Sequence, residues 1–409
     1  MRIFAILQQY LPFINIHVNL EGWAVSLPKI YHICMRPVKM LDLHAQYLRF
    51  KEEIDGAIST VLERTDFING QDVKEFEKEL AAYHGTAHAI ACANGTDAIQ
   101  IALMAMDLPA GSEVITPGFS YAAIAEMCHL LGLRPVYCDV NPNTYLMDVG
   151  QVESLITPNT RVIAPVHLFG QVAPMEPVMA LAQKHNLYVL EDNAQAIGAE
   201  YTFSDGTVKK AGSIGHISTT SFFPSKNLGC YGDGGAIITG DEGLAKRCKM
   251  IANHGQSVKY YHEIIGMNSR LDTLQAAILR VKLRKLNGFT AERQAAAASY
   301  DAALGAWPGL HIPARAQGST HVFHQYCFVL DTPEMRTGLQ DALKEKGIPS
   351  MIYYPQPLYR QNAYRQDISL PVTEYLCDRI MALPMGTDMD SEQLEYITFT
   401  INQYFSTLL

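Results

Sequence analysis

Lys226 is the residue whose surroundings best suit covalent chemistry in this 409-residue chain. It lies in the run Ser221–Gly235, after two phenylalanines and ahead of four glycines. A lysine amine is nucleophilic when it is neutral, which desolvation or a neighbouring cation favours, and glycines let the backbone approach a flat ligand closely. Because most lysines are simply exposed, Lys226 alone would be interpreted as a solvated loop residue, so its interpretation depends on its neighbours.

An acidic residue, Asp192, ends the apolar segment Tyr188–Asp192, which has the length of a buried strand. The carboxyl end of a parallel strand faces the crevice in which open α/β sheets bind ligands. A carboxylate buried there needs a cationic partner. The protonated nitrogen of a pyridine ring is suitable, because such a ring absorbs electrons released at a substrate carbon. The position suits a helix N-cap equally well, so both interpretations stay open for Asp192 alone.

A third feature is the stretch Asn94–Ala98, which precedes a helical segment. Gly95 and Thr96 at a helix start offer backbone N–H groups, a hydroxyl and the positive end of the helix dipole, which together can bind a phosphate. Asn-Gly-Thr is also a common turn with a cap. The three features become specific in combination. A phosphate site, an acid for a ring nitrogen and an imine-forming lysine follow this order in pyridoxal 5′-phosphate (PLP) enzymes of fold type I.

Composition and charge exclude several classes of protein. Hydrophobic residues make up 48% and charged residues 18% of the chain, which is typical of a soluble globular protein. The formal net charge is -9 and no basic stretch is contiguous, so we expect no nucleic-acid partner. The eight cysteines are scattered, without a C-x-x-C pair or ligand-like spacing to histidines. We therefore predict reduced, buried thiols, no metal site and a cytoplasmic location.

Residues 1–34 differ from the rest of the chain. They are apolar and aromatic but interrupted by polar residues and Pro12. They form neither an apolar span of about 18 residues nor a signal peptide, so we expect no membrane insertion. We interpret them as an N-terminal extension, either from an upstream start or added as a surface segment. The pattern of a globular protein starts at Met35.

Most of the chain has the pattern of an α/β protein. Residues 43–83 are helical in their spacing, and from about His88 to Thr239 short apolar runs alternate with helical stretches. This alternation predicts buried strands joined by crossover helices, and hence a mostly parallel sheet covered on both faces. The predicted strands include Glu113–Pro117, Pro135–Asp139, Arg161–Pro165 and Tyr188–Asp192.

The pattern becomes mixed after a helical stretch that includes Leu271 and Val281. We expect a large domain at residues 35–305 and a smaller α+β domain at residues 306–409. The two should pack closely, because no linker-like tract separates them. The elements predicted for the smaller domain are strands at His321–Leu330 and Pro349–Tyr354 and helices at Pro333–Lys346 and Ser391–Phe405.

With these motifs in view, the chain resembles the DegT/DnrJ/StrS family of nucleotide-sugar aminotransferases from about Val38 to near its C-terminus. The resemblance implies the fold-type I architecture, with a seven-stranded, mostly parallel sheet between helices and a smaller C-terminal domain. It also implies PLP as the cofactor and a homodimer in which both chains contribute to each active site. The motifs that carry it are Asn94–Ala98, Glu191–Gln195, Ser221–Lys226 and Gly266–Asp272.

The resemblance implies roles for individual residues by position. Lys226 would bind the cofactor as an internal aldimine and later move the proton. Asp192 would pair with the pyridine nitrogen, and Gln195 would lie near the ring's 3-hydroxyl. Tyr121 would stack on the ring, and Asn268 would reach the phosphate of the neighbouring subunit. The residues that hold the phosphate would be Gly95, Thr96 and Ser221.

The resemblance also bears on the substrate. The stretches around Arg270 are most similar to enzymes that aminate C3 of UDP-2-acetamido-2-deoxy-3-oxo-glucuronate for surface polysaccharide such as lipopolysaccharide O-antigen, with L-glutamate as donor. A guanidinium can bind a sugar carboxylate in bidentate fashion, although Arg270 could instead form a structural ion pair with Asp272 or another acid. Tyr353, followed by Tyr354, stands where this group carries histidine. The alternative is an aminotransferase for another UDP- or dTDP-linked 3-oxo or 4-oxo sugar without a C6 carboxylate.

Two further functions are weighed against this one. A PLP lyase on the same fold would lack the stretch Gly266–Asp272. A non-catalytic PLP-binding regulator would lose Lys226 or carry a DNA-binding module. His167 and His324 lie in or beside predicted strands, and we interpret them as satisfied core or rim residues rather than catalytic ones.

Overall fold

The computed structural model describes residues 36–408, so the predicted extension at residues 1–34 lies outside the described residues. A seven-stranded sheet forms the centre of the molecule. The strands of the described residues, including those outside this sheet, are in chain order β1 His88–Cys92, β2 Glu113–Pro117, β3 Arg134–Cys138, β4 Thr160–Ile163, β5 Tyr188–Asp192, β6 Glu200–Thr202, β7 Val208–Lys210, β8 Ile217–Ser221, β9 Gly235–Thr239, β10 Gln256–Val258, β11 Tyr261–His262, β12 Leu310–His311, β13 Tyr326–Leu330 and β14 Ile380–Leu383.

The main sheet is mostly parallel, as predicted. Its order is β1-β9-β8-β5-β4-β2-β3. The five strands from β8 to β3 run parallel to one another, and β9 runs antiparallel to both β1 and β8. All five residues of β2 and of β9 are buried, which explains why apolar residues do not alternate with exposed polar ones along these strands.

Helices cover the sheet on both faces. The described α-helices are α1 Leu43–Arg49, α2 Lys51–Arg64, α3 Gln71–His84, α4 Gly95–Ala105, α5 Ala123–Leu130, α6 Val149–Leu155, α7 Met175–His185, α8 Glu242–Ala252, α9 Thr273–Leu283, α10 Leu286–Leu304, α11 Pro333–Glu345, α12 Pro371–Arg379 and α13 Ser391–Ser406. Val114 of β2 joins a core cluster with α4, α5 and α8, whereas its neighbour Ile115 joins another with α7. This separation follows from the two-residue period of a strand.

The predicted helical region at residues 43–83 is confirmed as three helices. Phe50 leaves the helical region between α1 and α2 with φ -120°. Thr65 ends α2 in the left-handed conformation with φ 56°. These two backbone departures divide one periodic segment into packed pieces that the spacing alone does not separate.

The C-terminal part contains a second, antiparallel sheet of β12, β13 and β14. Its core cluster joins residues of α10, α11 and α13 to these strands. Phe328 of β13 and Ile401 of α13 are fully buried in this cluster. The division into domains at residue 305 stays a prediction.

Two predicted strands of this part are wrong in extent. The segment Pro349–Tyr354 is not a strand, because only Met351 forms a bridge, with Ala382 of β14. Tyr354 instead turns toward the main sheet, where it packs against other rings. The strand predicted from His321 begins only at Tyr326, because the backbone before it bonds to other partners: the Val322 N–H donates to Gly170 and the Val322 carbonyl accepts from Asn227.

The cysteines of the described chain are buried and unpaired, as predicted for reduced thiols. Cys34 lies outside the described residues. Within residues 36–408, no helix is both long and apolar enough to cross a membrane, and no group of three or more His, Cys, Asp or Glu side chains is placed to hold a metal ion. The buried thiols are Cys92, Cys128, Cys138, Cys230, Cys248, Cys327 and Cys377.

Candidate active site

The candidate site lies at the carboxyl edge of the parallel strands. Asp192 ends β5 and Ser221 ends β8, and these strands pair in parallel. Ser221 pairs with Gly235 of β9, and Gly235 pairs with Cys92 at the end of β1. Three chain segments therefore arrive at one edge of the sheet: the end of β5, the end of β8 and the turn from β1 into α4.

A close approach joins the start of α4 to the end of β8. A Cβ atom on Gly95 would lie 2.7 Å from the Cβ of Ser221. Only a residue without a side chain fits there, so the first N–H groups of α4 and the Ser221 hydroxyl line one small space. Asn94 caps the helix, its Oδ1 accepting from the Asp97 N–H at 2.8 Å, and Thr96 lies in the first turn. This geometry suits a phosphate.

Lys226 follows this edge in a tight loop. Its backbone N–H donates to the Phe223 carbonyl at 2.8 Å. The residue keeps part of its surface open to solvent, but burial of the amine lowers the pKa of Lys226 to about 8, against the attraction of Asp192. An amine with this pKa is partly neutral near pH 7, which is the state that attacks a carbonyl carbon.

Asp192 is buried beside this amine. Burial raises the pKa of its carboxyl group, while the Ala194 N–H, donating to Oδ1 at 3.0 Å, and the charge of Lys226 oppose the rise. Within residues 36–408, Asp192 forms no ion pair at contact distance. A buried carboxylate in this position is stabilised by any cation that enters the space between it and Lys226.

Gln195 and Tyr354 connect the main sheet to the C-terminal part. Gln195 Oε1 accepts from the Phe169 N–H at 2.6 Å, and Gln195 Nε2 donates to the Tyr354 hydroxyl at 3.2 Å. The Tyr354 ring stacks on Phe169 and lies 6.5 Å from the ring of Tyr121, centroid to centroid. Tyr121 is 63% exposed, so its ring is free to cover a flat ligand at this edge.

No described contact joins Arg270, Asn268 or Tyr353 to Lys226. Asn268 is exposed and bridges Asn253, whereas Arg270 is half-buried and forms no ion pair within residues 36–408. The alternative of an Arg270–Asp272 ion pair is therefore not found in the described chain. Ser269, between them, donates to the Asp97 carboxylate at 2.6 Å, which ties this segment to the start of α4. Tyr353 meets Tyr354 edge to face.

Sequence reasoning missed the role of Glu191. Its carboxylate is fully buried and accepts from the backbone N–H groups of Gly212, Ile214 and Gly215 and from His167 Nε2 at 2.8 Å. His167 Nδ1 accepts from the Ala173 N–H at 3.1 Å, so the proton of the neutral ring lies on Nε2. The prediction of a satisfied His167 is confirmed. Adjacent acids at a strand end, which face opposite sides of the sheet, were the available signal for Glu191.

The interpretation of His324 as a satisfied residue is wrong within the described chain. His324 is buried and its Nδ1 has no hydrogen-bond partner among the described residues. Burial and the charge of Lys226 hold its pKa well below the ordinary value. His324 is therefore a neutral ring with an unpartnered Nδ1, close enough to the candidate nucleophile to feel the charge of Lys226.

The residues at this edge fit PLP. Gly95 leaves a space that a Cβ atom would fill, beside the hydroxyl of Ser221 and the start of a helix. A desolvated amine and a buried carboxylate that forms no ion pair among the described residues lie next to it. These groups match a phosphate, an aldehyde and a pyridinium nitrogen respectively.

A separate cavity of about 920 Å³ lies at the opposite edge of the sheet. It is lined by Tyr188 at the start of β5, by Gly215 and His216 before β8 and by Gly240 after β9. None of the candidate site residues contributes to it. Its size therefore does not identify the place of the chemistry.

The parallel sheet, the helix start and the buried lysine–carboxylate pair define the fold-type I class of PLP enzymes. The chain belongs to the DegT/DnrJ/EryC1/StrS aminotransferase family, whose sequence profile matches residues 49–402. It is accordingly a PLP-dependent sugar aminotransferase, which acts on a nucleotide-linked keto-sugar.

Three relatives cover nearly the whole chain. A pleiotropic regulatory protein of Geobacillus stearothermophilus is 43% identical over 90% of this chain and 98% of its own length. A UDP-2-acetamido-2-deoxy-3-oxo-D-glucuronate aminotransferase of Pseudomonas aeruginosa is 43% identical over 88% of this chain and 98% of its own. A UDP-N-acetyl-3-dehydro-alpha-D-glucosamine 3-aminotransferase of Acidithiobacillus ferrooxidans is 40% identical over 90% of this chain and 97% of its own.

Among solved structures, DesV of S. venezuelae in complex with a ketimine intermediate is similar throughout. The TM-score is 0.86 at 37% identity, over 90% of this chain and 98% of that chain. The fold predicted from the sequence is thereby confirmed.

Proposed function

We propose that this chain transfers the amino group of L-glutamate to C3 of UDP-2-acetamido-2-deoxy-3-oxo-glucuronate, with PLP attached at Lys226. The observation that carries the proposal is the desolvated Lys226 amine beside the buried carboxylate of Asp192, next to the helix start at Gly95. The reaction would take place in the cytoplasm. Its product, a 3-amino sugar nucleotide, would be used to build surface polysaccharide.

The residues divide the work by their chemistry. Bound PLP supplies an electron sink for the pair of electrons left when a proton leaves the donor's carbon. Lys226, with a pKa lowered to about 8, accepts and returns that proton through its neutral amine. Asp192 stabilises positive charge in the crevice, since its own burial makes a cationic neighbour favourable.

The phosphate is held at the start of α4. Gly95 and Thr96 supply N–H groups and a hydroxyl, and Ser221 supplies a second hydroxyl. Gln195 is already bonded to the Phe169 N–H and the Tyr354 hydroxyl, and these two bonds fix the orientation of its amide. In that orientation it would lie near the 3-hydroxyl group of the PLP ring. Tyr121 would cover the ring with its exposed face.

The sugar carboxylate is assigned to Arg270. Within the described chain its guanidinium has no acidic partner, so its five N–H donors are available for a planar anion. The relative from P. aeruginosa carries such a glucuronate in its name, which supports the assignment. Tyr353 and Tyr354 would line the sugar from the C-terminal part.

A homodimer would complete the site. Asn268 is exposed on the segment that Ser269 ties to the start of α4. Tyr121 is also exposed. Both residues lie open in a single chain, so a partner subunit could bring Asn268 to its neighbour's phosphate and cover Tyr121.

A second substrate is favoured by one observation. Tyr353 is neutral, and burial raises the pKa of its hydroxyl, so it offers no charge to a C6 carboxylate. The relative from A. ferrooxidans has a glucosamine in its name rather than a glucuronate. A 3-oxo sugar with a plain hydroxymethyl group is therefore the competing substrate.

The test is amination of a panel of UDP- and dTDP-linked 3-oxo and 4-oxo sugars, generated in situ, with the wild type and Arg270→Gln. We expect the UDP-linked 3-oxo-glucuronate to react fastest. Arg270→Gln should raise its KM by roughly a hundredfold and leave the hydroxymethyl analogue nearly unchanged, because only the former loses a charge-assisted bidentate contact. Equal effects of Arg270→Gln on both sugars would overturn the carboxylate assignment.

A further inference from the structure

Lys282, on α9, is a buried cation that none of the roles above uses. Its side chain is 1% exposed, and it forms no ion pair with a carboxylate within residues 36–408. Burial lowers its pKa to about 8. A methionine of similar length would fill the same space without desolvating an amine, so the amine must act through the groups that it contacts.

Those groups belong to the loop that carries Lys226. The Lys282 ammonium donates to the Gly229 carbonyl at 2.7 Å. It also lies 4.3 Å from the centre of the Tyr231 ring, within the range of a cation–π contact. The contacts therefore fix the chain three to five positions after Lys226.

A second side chain of α9 holds the same segment. Gln275 Oε1 accepts from the Tyr231 N–H at 2.8 Å, and Gln275 Nε2 donates to the Tyr231 carbonyl at 3.2 Å. Gln275 and Lys282 are seven residues apart, which places them on one face of the helix, two turns from each other. Together they make three hydrogen bonds and one cation–π contact with Gly229 and Tyr231.

The loop is tight enough to pass this restraint on to Lys226. The Lys226 N–H donates to the Phe223 carbonyl at 2.8 Å. A Cβ atom on Gly229 would lie 2.4 Å from the Pro224 carbonyl oxygen, so the two sides of the loop, before and after Lys226, are in contact. Movement of Gly229 away from α9 would therefore open the turn that presents Lys226.

We propose that Lys282 and Gln275 are positioning residues that clamp the loop at Gly229 and Tyr231 and so hold the Lys226 amine in its desolvated place. The inference rests on the assignment of Lys226 in the proposed function. It adds that α9, which begins three residues after Arg270, connects the segment of the proposed sugar site to the loop that carries Lys226.

The first test measures the pKa of the Lys226 amine in the protein without cofactor, by competitive acetylation across a pH series and mass spectrometry. In the wild type it should lie near 8. In Lys282→Met it should rise toward 10.5, because a loosened loop hydrates the amine. Burial and Asp192 alone account for the pKa of Lys226, so the loss of the Lys282 charge does not itself produce the shift.

The second test measures turnover after cofactor loading. Lys282→Met should lower kcat by about tenfold or more, because the reacting amine is misplaced, while the KM for L-glutamate changes little. Gln275→Leu should act in the same direction. Gln275→Glu, which keeps an oxygen for the Tyr231 N–H, should retain more activity than Gln275→Leu.

Two control variants separate positioning from stability. Lys285→Met removes a lysine just beyond α9 that pairs with Glu53 and does not touch the loop. Leu339→Ala opens a cavity in the C-terminal cluster. Both should keep the wild-type pKa of Lys226 and the wild-type kcat.

The outcomes distinguish the two claims. Borohydride reduction and peptide mapping of the loaded wild type show whether Lys226 carries the cofactor, and another attachment site would sink the proposed function. Attachment at Lys226 with an unchanged Lys226 pKa and kcat in Lys282→Met would overturn the clamp alone. If Lys282→Met fails to fold, equal pKa and kcat values in Gln275→Leu and the wild type would overturn it instead.

Discussion

At the scale of single residues, the chemistry rests on the contrast between Lys226 and Asp192. Burial acts on both groups in the direction of neutrality: it lowers the pKa of the amine and raises that of the carboxyl group. The residue types and their order were sufficient to nominate both. Their pKa values depend on which atoms surround them, and that information exists only in the folded chain.

Asp192→Asn tests the carboxylate. The amide keeps the shape of the side chain but cannot stabilise a cation, so we expect cofactor content to stay near that of the wild type. Transamination should fall by on the order of a hundredfold or more. Steady-state rates at matched cofactor content measure this. Asp341→Asn, at an exposed carboxylate on α11, is the control and should be unaffected. A loss of less than threefold in Asp192→Asn would argue against this role for the carboxylate.

Other residues of the site could not be found from the sequence. Lys282 is a lysine within an apolar helix, and its spacing alone favours an exposed residue or one that reaches solvent. His324 was interpreted as satisfied, yet its Nδ1 lacks a described partner. In both cases the decisive fact is a contact, or its absence, between segments far apart in the chain.

At the scale of elements, the site depends on the packing of α4 against β8. The period of apolar residues predicted the central strands and the helices between them, because each is long enough to show its own repeat. It failed at Pro349–Tyr354. That segment is apolar and aromatic like a strand, but it pairs with β14 only at Met351, and the Tyr354 ring packs on Phe119 and Phe169. Aromatic packing between segments overrode local propensity there.

Gly95→Ala tests the packing of α4 on β8. The added methyl group would lie 2.7 Å from the Ser221 Cβ, so one of the two segments must move and the phosphate space must change. We expect the affinity for PLP to fall by about tenfold or more, at a cost of roughly 1–3 kcal/mol for overpacking. Fluorescence titration of the protein without cofactor measures it.

Gly56→Ala is the matched control for this substitution. It lies within α2, where an added Cβ would meet nothing within 4 Å. It should leave the affinity for PLP unchanged and stabilise the helix by about 0.5–1 kcal/mol. A Gly95→Ala protein that binds PLP as tightly as Gly56→Ala would show that the phosphate lies elsewhere.

At the scale of the whole molecule, buried thiols and buried lysines make stability depend on pH in opposite senses. Burial raises the pKa values of Cys128, Cys248 and Cys377 to about 12. Above pH 9, unfolded thiols lose protons that folded ones keep, so their contribution to stability is lost as pH rises toward 12. Lys226 and Lys282, with pKa values lowered to about 8, act oppositely between pH 8 and 10.5.

Burial raises the pKa of all seven described thiols, which outnumber the two lysines. The free energy of unfolding of the protein without cofactor should therefore begin to fall at about pH 9 and fall more steeply above pH 10.5, where the opposing effect of the lysines ends. Each thiol contributes a slope of about 1.4 kcal/mol per pH unit. Urea unfolding at a series of pH values measures it. A free energy of unfolding that stays constant through pH 11.5 would contradict the burial of these thiols.

The central claim is that Lys226 and the groups around it make this chain a transaminase. The most direct measurement is the visible absorbance of the PLP-loaded protein before and after addition of L-glutamate alone, in the wild type and in Lys226→Ala. We predict a band in the wild type that bleaches as the amino group passes to the cofactor, and neither this band nor any turnover in Lys226→Ala. A wild-type band that L-glutamate leaves unchanged, or normal amination by Lys226→Ala, would contradict the account.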